Sequence, residues 1–366
     1  MARIAVLMSF SGAGGVERMV TNLLGGFVAR GHRVDLLAIR PDMANLPESE
    51  GITLHRLGAH THTSLPALLR YLRRTPPDAM LAAKDRAIRL AVVARALSGQ
   101  RFPLAGRLGT NLSAAMQGKP AWQRWAREAP MRALYRWVDR IVAVSNGVAE
   151  DTLAITGLPA SRVCVVRNPV VTPSFATLAA QPPSHPWLAS ADGPVIVGAG
   201  RLTRQKDFHT LVQAFALVRA QRPCRLVIFG EGSERAALEQ AIRECGLSGE
   251  VALPGHTANP YADISRASVF VLSSRWEGSP NVLTEALALG VPVVATDCPS
   301  GPREILHGGL VAPLVTMGRS DEMAAAINRM LDNPPAATSL RGAARDYTVD
   351  ASTAGYLAAL GLTLST

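Results

Sequence analysis

Apolar and polar positions along this chain follow one repeating order: a short apolar run, a loop of glycine and polar residues, then a stretch of helical period. Residues 3–9 form the first run. Met19, Val20, Leu23, Leu24, Phe27 and Val28 then fall at helical spacing, ahead of a second run at 34–39. That change of period from two to about 3.6 and back predicts a β-α-β unit with parallel strands. Further strands are expected at 102–108, 140–145, 163–166, 195–198, 225–229, 251–253, 269–272 and 291–296. Helices are expected at 65–74, through 119–137, at 208–219 and at 350–364. Prolines 173, 182, 183 and 186 accumulate among small residues between the two groups of strands, as they do in an interdomain linker. The expected division is a first α/β domain at 1–172, a linker at 173–193, a second α/β domain at 194–345 and a closing helix at 346–366.

Length and composition agree with that division and narrow the class. A chain of 366 residues is long enough for two domains with separate cores. An apolar share of 48% against 18% charged, with no repeat or low-complexity tract, describes a folded protein rather than a disordered one. Cys164, Cys224, Cys245 and Cys298 show neither a C-x-x-C pair nor zinc-ligand spacing, so no disulfide framework and no metal site are expected. Four small buried residues in a reducing cytosol are the expectation. The first residues carry one arginine and an apolar run too short for a signal peptide. No run approaches the ~20 apolar residues of a spanning helix. A cytoplasmic location is expected.

The net charge of +10 changes the picture because of where it lies. The first 175 residues hold 23 Lys+Arg against 11 Asp+Glu, and the remainder 15 against 17. A basic domain suits a nucleic acid, an anionic membrane surface or an anionic substrate. Two segments concentrate the effect. Arg70, Arg73 and Arg74 stand beside leucines at 65–74, and Trp122, Trp125 and Trp137 stand among basic residues at 119–137. The second composition suits a lipid headgroup region, and equally a core helix whose basic side chains cover apolar surface.

The chemistry gathers in the loops. Ser274-Arg-Trp-Glu277-Gly278-Ser279-Pro280-Asn281-Val-Leu-Thr-Glu285-Ala286 follows an apolar run and enters a helix, so it is a loop at the carboxyl end of a strand, where open α/β sheets bind ligands. Ser279 is expected to cap that helix, with Pro280 at its first position. The helix start suits a phosphate. Glu277 in the loop and Glu285 in the second turn suit hydroxyls, because an ionised carboxylate only accepts and can take both protons of a diol. Phosphate and diol together read as a nucleotide sugar; the plainer reading is a capped core helix with two solvated glutamates.

Other turns are compatible with that ligand. The first glycine loop is not a dinucleotide fingerprint, since G-x-G-x-x-G from Gly12 would need glycine where Glu17 stands. Gly14 and Gly15 can still bring backbone N–H groups close to an anion or a sugar, or serve only a tight turn. In 198–207, Arg201 offers a planar fork and Lys206 a compact charge, both suited to a diphosphate. Two idle cations at a helix start would be unfavourable.

The spacing Glu277-x7-Glu285 within S-x-W-E-G-S-P-N-V-L-T-E-A, with Gly200-Arg201-Leu202 and Lys206, resembles the family 4 retaining glycosyltransferases of the GT-B fold. The type that builds cell-envelope polysaccharides and glycolipids is the nearest in character. The resemblance extends to V-S-x-G at 144–147 and N-P at 168–169, and it is most specific from Gly198 to Pro313. It implies two facing Rossmann-like domains with a cleft between them and a last helix crossing back to the first domain. It implies transfer of a sugar, UDP-linked in this family type, to a glycan or lipid-linked acceptor with retention of configuration, and no cofactor. Glu277, Arg201 and Lys206 are then the catalytic candidates. Gly14, Gly15, Gly230, His256, Gly278, Ser279, Asn281 and Glu285 are the substrate-binding ones, with His256 stacking on a base or structural. No D-x-D is present to anchor a metal-bound diphosphate, so metal independence is expected.

Two departures stand out: Asp207 where the family has glycine, and Thr110-Asn111 where many members have a histidine. The competing readings are a sugar nucleotide epimerase on a similar fold, a glycoside hydrolase using Glu277 and Glu285, and a nucleic-acid-binding module. The hydrolase reading leaves Arg201 and Lys206 idle. The partners expected are a nucleotide sugar, a glycan or lipid-linked acceptor and a peripheral anionic membrane, not a nucleic acid.

Overall fold

The computed structural model describes residues 1–10, 14–40, 50–190 and 192–362. They form two compact units, Met1–Val170 with Tyr347–Thr366, and Val171–Asp346. Each unit is a parallel sheet with helices between its strands, the arrangement that short buried apolar runs and intervening amphipathic stretches dictate.

The first sheet contains β1 (Arg3–Ser9), β2 (Arg33–Ile39), β3 (Ile52–Gly58), β4 (Ala79–Ala83), β5 (Leu104–Leu108), β6 (Arg140–Ala143) and β7 (Val163–Val165). Their spatial order is β3-β2-β1-β4-β5-β6-β7. The chain therefore winds one way from β1 and the other way from β4, and the loops after these two strands diverge at the switch point. β1 lies in register with both neighbours, Ile4 facing Val34 and Ala79.

The second sheet contains β8 (Val195–Ala199), β9 (Arg225–Phe229), β10 (Val251–Gly255), β11 (Val269–Leu272), β12 (Val293–Thr296) and β13 (Leu314–Val315), in the order β10-β9-β8-β11-β12-β13. Its switch point lies between β8 and β11, which pair directly through Val269–Ile196 and Phe270–Val197. Every residue of β8, β11 and β12 is buried. Such strands read as continuous apolar runs because both faces are covered by helices.

β3, β4 and β13 are strands that the apolar pattern does not announce. β4, Ala-Met-Leu-Ala-Ala, is fully buried yet has no β-branched residue, so its local preference favours a helix and burial between β1 and β5 decides otherwise. β3 is an edge strand carrying His55 and Arg56, which breaks the apolar signal.

Residues 173–193, read as a linker, carry the short helices Phe175–Ala179 and Pro186–Ala189 and pack within the second unit. The Phe175 ring lies 4.6 Å from that of Tyr261. The buried Asp263 carboxylate accepts from the Ser184 N–H at 2.6 Å and from the Thr257 hydroxyl at 2.7 Å.

The closing helix, Val349–Ala359, lies against the helix Gly15–Ala29 in the first unit. The expected continuation to residue 364 falls outside the described residues. Tyr356, Leu357 and Leu360 join the core between this helix and the sheet. Ser352 donates to the Arg167 carbonyl at 2.8 Å, and Arg30 to the Asp350 carboxylate at 2.5 Å.

Gly26 is the point of closest approach, where a Cβ would overlap the Thr353 hydroxyl, whereas a Cβ at Gly25 meets nothing within 4 Å. Gly26→Val is expected to destabilise the protein by about 1–3 kcal/mol through overpacking. Gly25→Ala, in the same helix, is expected to be neutral or slightly stabilising. Thermal unfolding of both variants checks the pair; equal Tm values would mean that the closing helix does not dock this way.

Candidate functional site

In the second unit the turns after β8, β9 and β10 are locked to one another by backbone. The Gly200 N–H donates to the Phe229 carbonyl at 2.9 Å, the Gly230 N–H to Gly255 at 2.7 Å, and the Leu202 N–H to Glu231 at 2.9 Å. Gly230 has φ +135°, and a Cβ there would overlap the Gly200 carbonyl; one at Gly232 would overlap that of Leu202. These glycines allow backbone to touch backbone, and they give the loop 200–207 a rigid support.

Opposite this loop, across the switch point, stands the loop after β11. Lys206 and Glu277 meet there, with Nζ 2.6 Å from Oε1. The Ser274 hydroxyl donates to the same oxygen at 2.7 Å. Glu277 is only 6% exposed, so a cation and a hydroxyl compensate a carboxylate that would be costly to bury alone. The two loops are further tied by Gln205, donating to the Trp276 carbonyl at 2.9 Å, by Arg275 N–H to the Gln205 carbonyl at 2.8 Å, and by Ser273 to the Lys206 carbonyl at 2.7 Å. Thr296, on β12, holds the Ser274 carbonyl at 2.5 Å.

Asp207 adopts a left-handed conformation, φ +47° and ψ +47°, which explains why glycine is the natural occupant of this place. Aspartate tolerates it better than most residues, and here its buried carboxylate accepts from Arg275 Nε at 3.0 Å and Thr210 Oγ1 at 2.9 Å. The substitution therefore adds a link between the two loops.

The helix Asn281–Leu289 begins one residue later than its sequence suggests, with Pro280 rather than Ser279 at the N-cap. The Pro280 carbonyl accepts from Leu283 and Thr284, so the proline stands before the first turn rather than in it. Gly278, Ser279 and Glu285 are buried, Glu285 at 1% exposure, and Asn281 is half-buried. Arg201 is exposed on its loop. His256, past the edge strand β10, is exposed and lies away from the switch point in the sheet order.

Gly14 and Gly15 belong to the first unit, at the start of the helix Gly15–Ala29. Gly12, from which the glycine loop was read, lies outside the described residues. Asn111 caps the short helix Leu112–Ala115 by accepting from the Ala114 N–H at 2.9 Å, a structural use of the position where a histidine was awaited.

Sequence reasoning missed Ser274, Gln205, Thr296 and the Asp207–Arg275 link. Ser274 was legible as a hydroxyl three residues ahead of Glu277; the others depend on contacts between distant segments. The glycoside hydrolase reading finds little support in this geometry. Glu277 is committed to Lys206 and Ser274, whereas hydrolysis needs two carboxyl groups free to act on the bond.

Two parallel α/β sheets, each with its diverging loops at a switch point, define the GT-B class of fold. Residues 13–172 match the family described as glycosyltransferase family 4, and residues 184–347 the family described as glycosyl transferases group 1. A lipopolysaccharide 1,6-galactosyltransferase of Salmonella typhimurium is 25% identical over 343 residues, covering 88% of this chain and 87% of the relative. An N-acetylgalactosamine-N,N'-diacetylbacillosaminyl-diphospho-undecaprenol 4-alpha-N-acetylgalactosaminyltransferase of Campylobacter jejuni is 26% identical, covering 91% of each chain. Among solved structures, Anabaena HepE in complex with UDP and glucose superposes with a TM-score of 0.79 at 19% identity, covering 99% of this chain and all of HepE. The chain is thus a glycosyltransferase of the GT-B fold, with a family 4 domain followed by a group 1 domain. Neither the epimerase nor the hydrolase is favoured by these comparisons.

The cysteines give a chemical check on the packing of this site. All four are free, but Cys245 is exposed and Cys164 only half-buried, which corrects the expectation of four buried thiols. Burial, and then the neighbouring Glu277 carboxylate, push the Cys298 thiol up to about 12. Burial also raises Cys164 and Cys224. A raised pKa lowers the thiolate fraction, to about one part in ten thousand at pH 8 for Cys298, and the thiolate is the reactive form. Native protein at pH 8 is therefore expected to show one fast thiol towards an aromatic disulfide reagent, removed by Cys245→Ala. Fast labelling of Cys298 before unfolding would contradict the packing around Glu277.

Proposed function

We propose that this glycosyltransferase moves a sugar from a nucleotide donor of the UDP type to a glycan or lipid-linked acceptor of the cell envelope, with retention of anomeric configuration and without a metal ion. The Lys206–Glu277 contact at the second switch point carries the reading. It puts a cation suited to phosphate and a carboxylate suited to hydroxyls side by side at the start of a helix. HepE, of the same fold, holds UDP and glucose, and the names of the two relatives contain a lipopolysaccharide and a diphospho-undecaprenol. Both support a nucleotide sugar on one side of the reaction and a lipid-borne glycan on the other.

In this mechanism the donor diphosphate takes the Lys206 ammonium and the exposed Arg201 guanidinium, together with the N–H groups at the start of the helix Asn281–Leu289. Glu277, still held by Ser274, accepts hydroxyls of the transferred sugar, and Glu285 accepts the ribose diol. The bond from the anomeric carbon to the phosphate oxygen breaks as negative charge develops on the diphosphate, which the preorganised cations stabilise. The acceptor hydroxyl forms its bond from the face that the diphosphate leaves, and its proton departs with the leaving group.

Arg201→Ala and Lys206→Ala are each expected to lower kcat roughly 10²- to 10³-fold, the usual loss for one transition-state donor. Glu285→Ala should weaken UDP binding by about 1.5–3 kcal/mol. Turnover should persist in excess EDTA. Transfer assays with a panel of UDP-sugars and a lipid extract, and calorimetry with UDP, read these outcomes. Wild-type kinetics in both cation variants would remove the diphosphate assignment, and activity lost to EDTA and restored by Mn²⁺ would remove metal independence.

The acceptor side of the reading includes a membrane. Among the described residues no helix is long and apolar enough to cross one. The helices Leu65–Arg74 and Ala121–Leu134 both pack on the helix Asp85–Ser98, in one layer of the first unit. Asp85 anchors the second of them through Tyr135 at 2.9 Å and Arg127 at 3.2 Å. Trp122, Trp125 and Trp137 are 68%, 66% and 60% exposed, not core residues, and Arg70, Arg73 and Arg74 line an open basic hollow. Exposed tryptophan beside arginine supports docking at an anionic headgroup surface. Binding to phosphatidylglycerol vesicles is expected to fall steeply with salt, and further on charge reversal at Arg70, Arg73 and Arg74. Indifference to lipid charge, or a preference for DNA in parallel tests, would overturn it.

A further inference from the structure

Of the 38 basic residues in the chain only three are lysines, and two of these, Lys84 and Lys206, occupy the switch points of the two sheets. Each is paired with a buried glutamate. In the second unit the lysine follows β8 and the glutamate follows β11. In the first unit the polarity is exchanged: Glu17 follows β1 and Lys84 follows β4. Lys84 Nζ lies 2.8 Å from Glu17 Oε1 and donates to the Ser9 carbonyl, at the end of β1, at 3.0 Å. Glu17 is 7% exposed. A single compact ammonium serves these two acceptors; the planar fork of arginine has a different geometry. That accounts for lysine in a chain that otherwise uses arginine.

Lys84 holds its place with φ +77° and ψ +146°, a region that belongs to glycine. A position with only architectural duties would be better filled by glycine, and strain of this kind collects where a side chain acts at a ligand site. The neighbouring turn is shaped to the same carboxylate, since a Cβ on Gly14 would stand 2.6 Å from Glu17 Oε2. Gly14 therefore leaves room for Glu17, and Lys84 fixes where Glu17 points.

We propose that Lys84 is a positioning residue of the transfer reaction, holding the Glu17 carboxylate and the Gly14–Gly15 turn to receive hydroxyl groups of a sugar substrate. The inference rests on the transferase reading. The first unit thereby carries its own hydroxyl-accepting glutamate. Glu17 is the residue that meets the sugar, and Lys84 acts through it.

The test uses the full-length protein and the variants Lys84→Gly, Glu17→Gln, Gly14→Ala and the Lys84→Gly/Glu17→Gln double variant. Lys84→Gly relieves the backbone but removes the ammonium that compensates the buried Glu17 carboxylate, so its Tm should fall, and the double variant, which removes that charge as well, should recover most of the loss in Tm but not in turnover. Its affinity for UDP, measured by calorimetry, should stay within twofold, because the UDP-binding residues lie in the other unit. Its kcat, with the UDP-sugar that the wild type turns over, should fall 10- to 100-fold at unchanged donor KM. Glu17→Gln and Gly14→Ala should show the same separation, and the double variant should lose no more than the worse single one. Wild-type turnover in Lys84→Gly would overturn the proposal while leaving the donor site intact, as would losses of activity that only follow losses in Tm. Wild-type protein with no affinity for UDP would instead remove the donor reading, and this inference with it.

Discussion

A buried carboxylate must be compensated, and the second unit is built around that requirement at Glu277. An ionised group at 6% exposure is costly unless a counter-charge and hydrogen-bond donors reach it. Lys206 and Ser274 supply both, from opposite sides of the switch point. Ser274 shares the loop of Glu277, whereas Lys206 arrives from the loop opposite. The parallel order puts β8 beside β11, so the loops that follow them start as neighbours and then diverge, leaving a gap that side chains and the Arg275 N–H to Gln205 carbonyl bond cross. Gln205, Ser273 and Asp207 close the remaining distance by pairing with the opposite loop. The placement of the reactive groups thus follows from strand order, and strand order from which apolar runs can be buried on both faces.

Glycine supplies the second half of this arrangement. The turn that carries Lys206 must be rigid, although it stands at the mouth of the sheet. Contact between the backbones of Gly200 and Gly230 solves this, since a Cβ at 230 has no space. The same logic recurs at Gly301, whose Cβ would lie 2.6 Å from Pro280 and so disturb the start of the helix Asn281–Leu289. These positions are intolerant for steric reasons before any ligand is considered.

Most of the fold was legible because valine, isoleucine and leucine runs and the glycine loops that follow them obey local rules. The helices Leu65–Arg74 and Phe208–Arg219 and the strands β1, β9 and β11 stand at the residues that the pattern gives. β4 was not legible: its alanines have no local preference for a strand, and only the neighbours that bury it make it one. In the site, each loop was legible by itself. The pairing of Lys206 with Glu277, 71 residues apart, was not, and neither was that of Lys84 with Glu17, 67 apart. Lys84 carried a faint signal as one of very few lysines in an arginine-rich chain, but scarcity names no partner. Cys245 shows the opposite limit, since nothing in its immediate sequence separated an exposed cysteine from the buried ones.

Backbone strain locates what the local rules cannot. Among the described residues, positive φ outside glycine occurs at Arg40, Lys84, Asp207, Ser300 and His307. Lys84 and Asp207 are, respectively, a paired lysine and the residue after one, and Ser300 stands between Pro299, whose carbonyl faces the Glu277 N–H, and Gly301. Each such conformation costs of order 1–3 kcal/mol, less for aspartate in the left-handed region, and persists only where surrounding contacts fix it. At Asp207 those contacts are visible as Arg275 and Thr210. At Lys84 they include the Glu17 carboxylate and the Ser9 carbonyl, both reached through the ammonium, and backbone hydrogen bonds to Arg107 and from Ile88. Backbone and side chain thus hold the turn together, which is the relation expected when the position of a charge, as well as the course of the chain, is what the turn has to deliver.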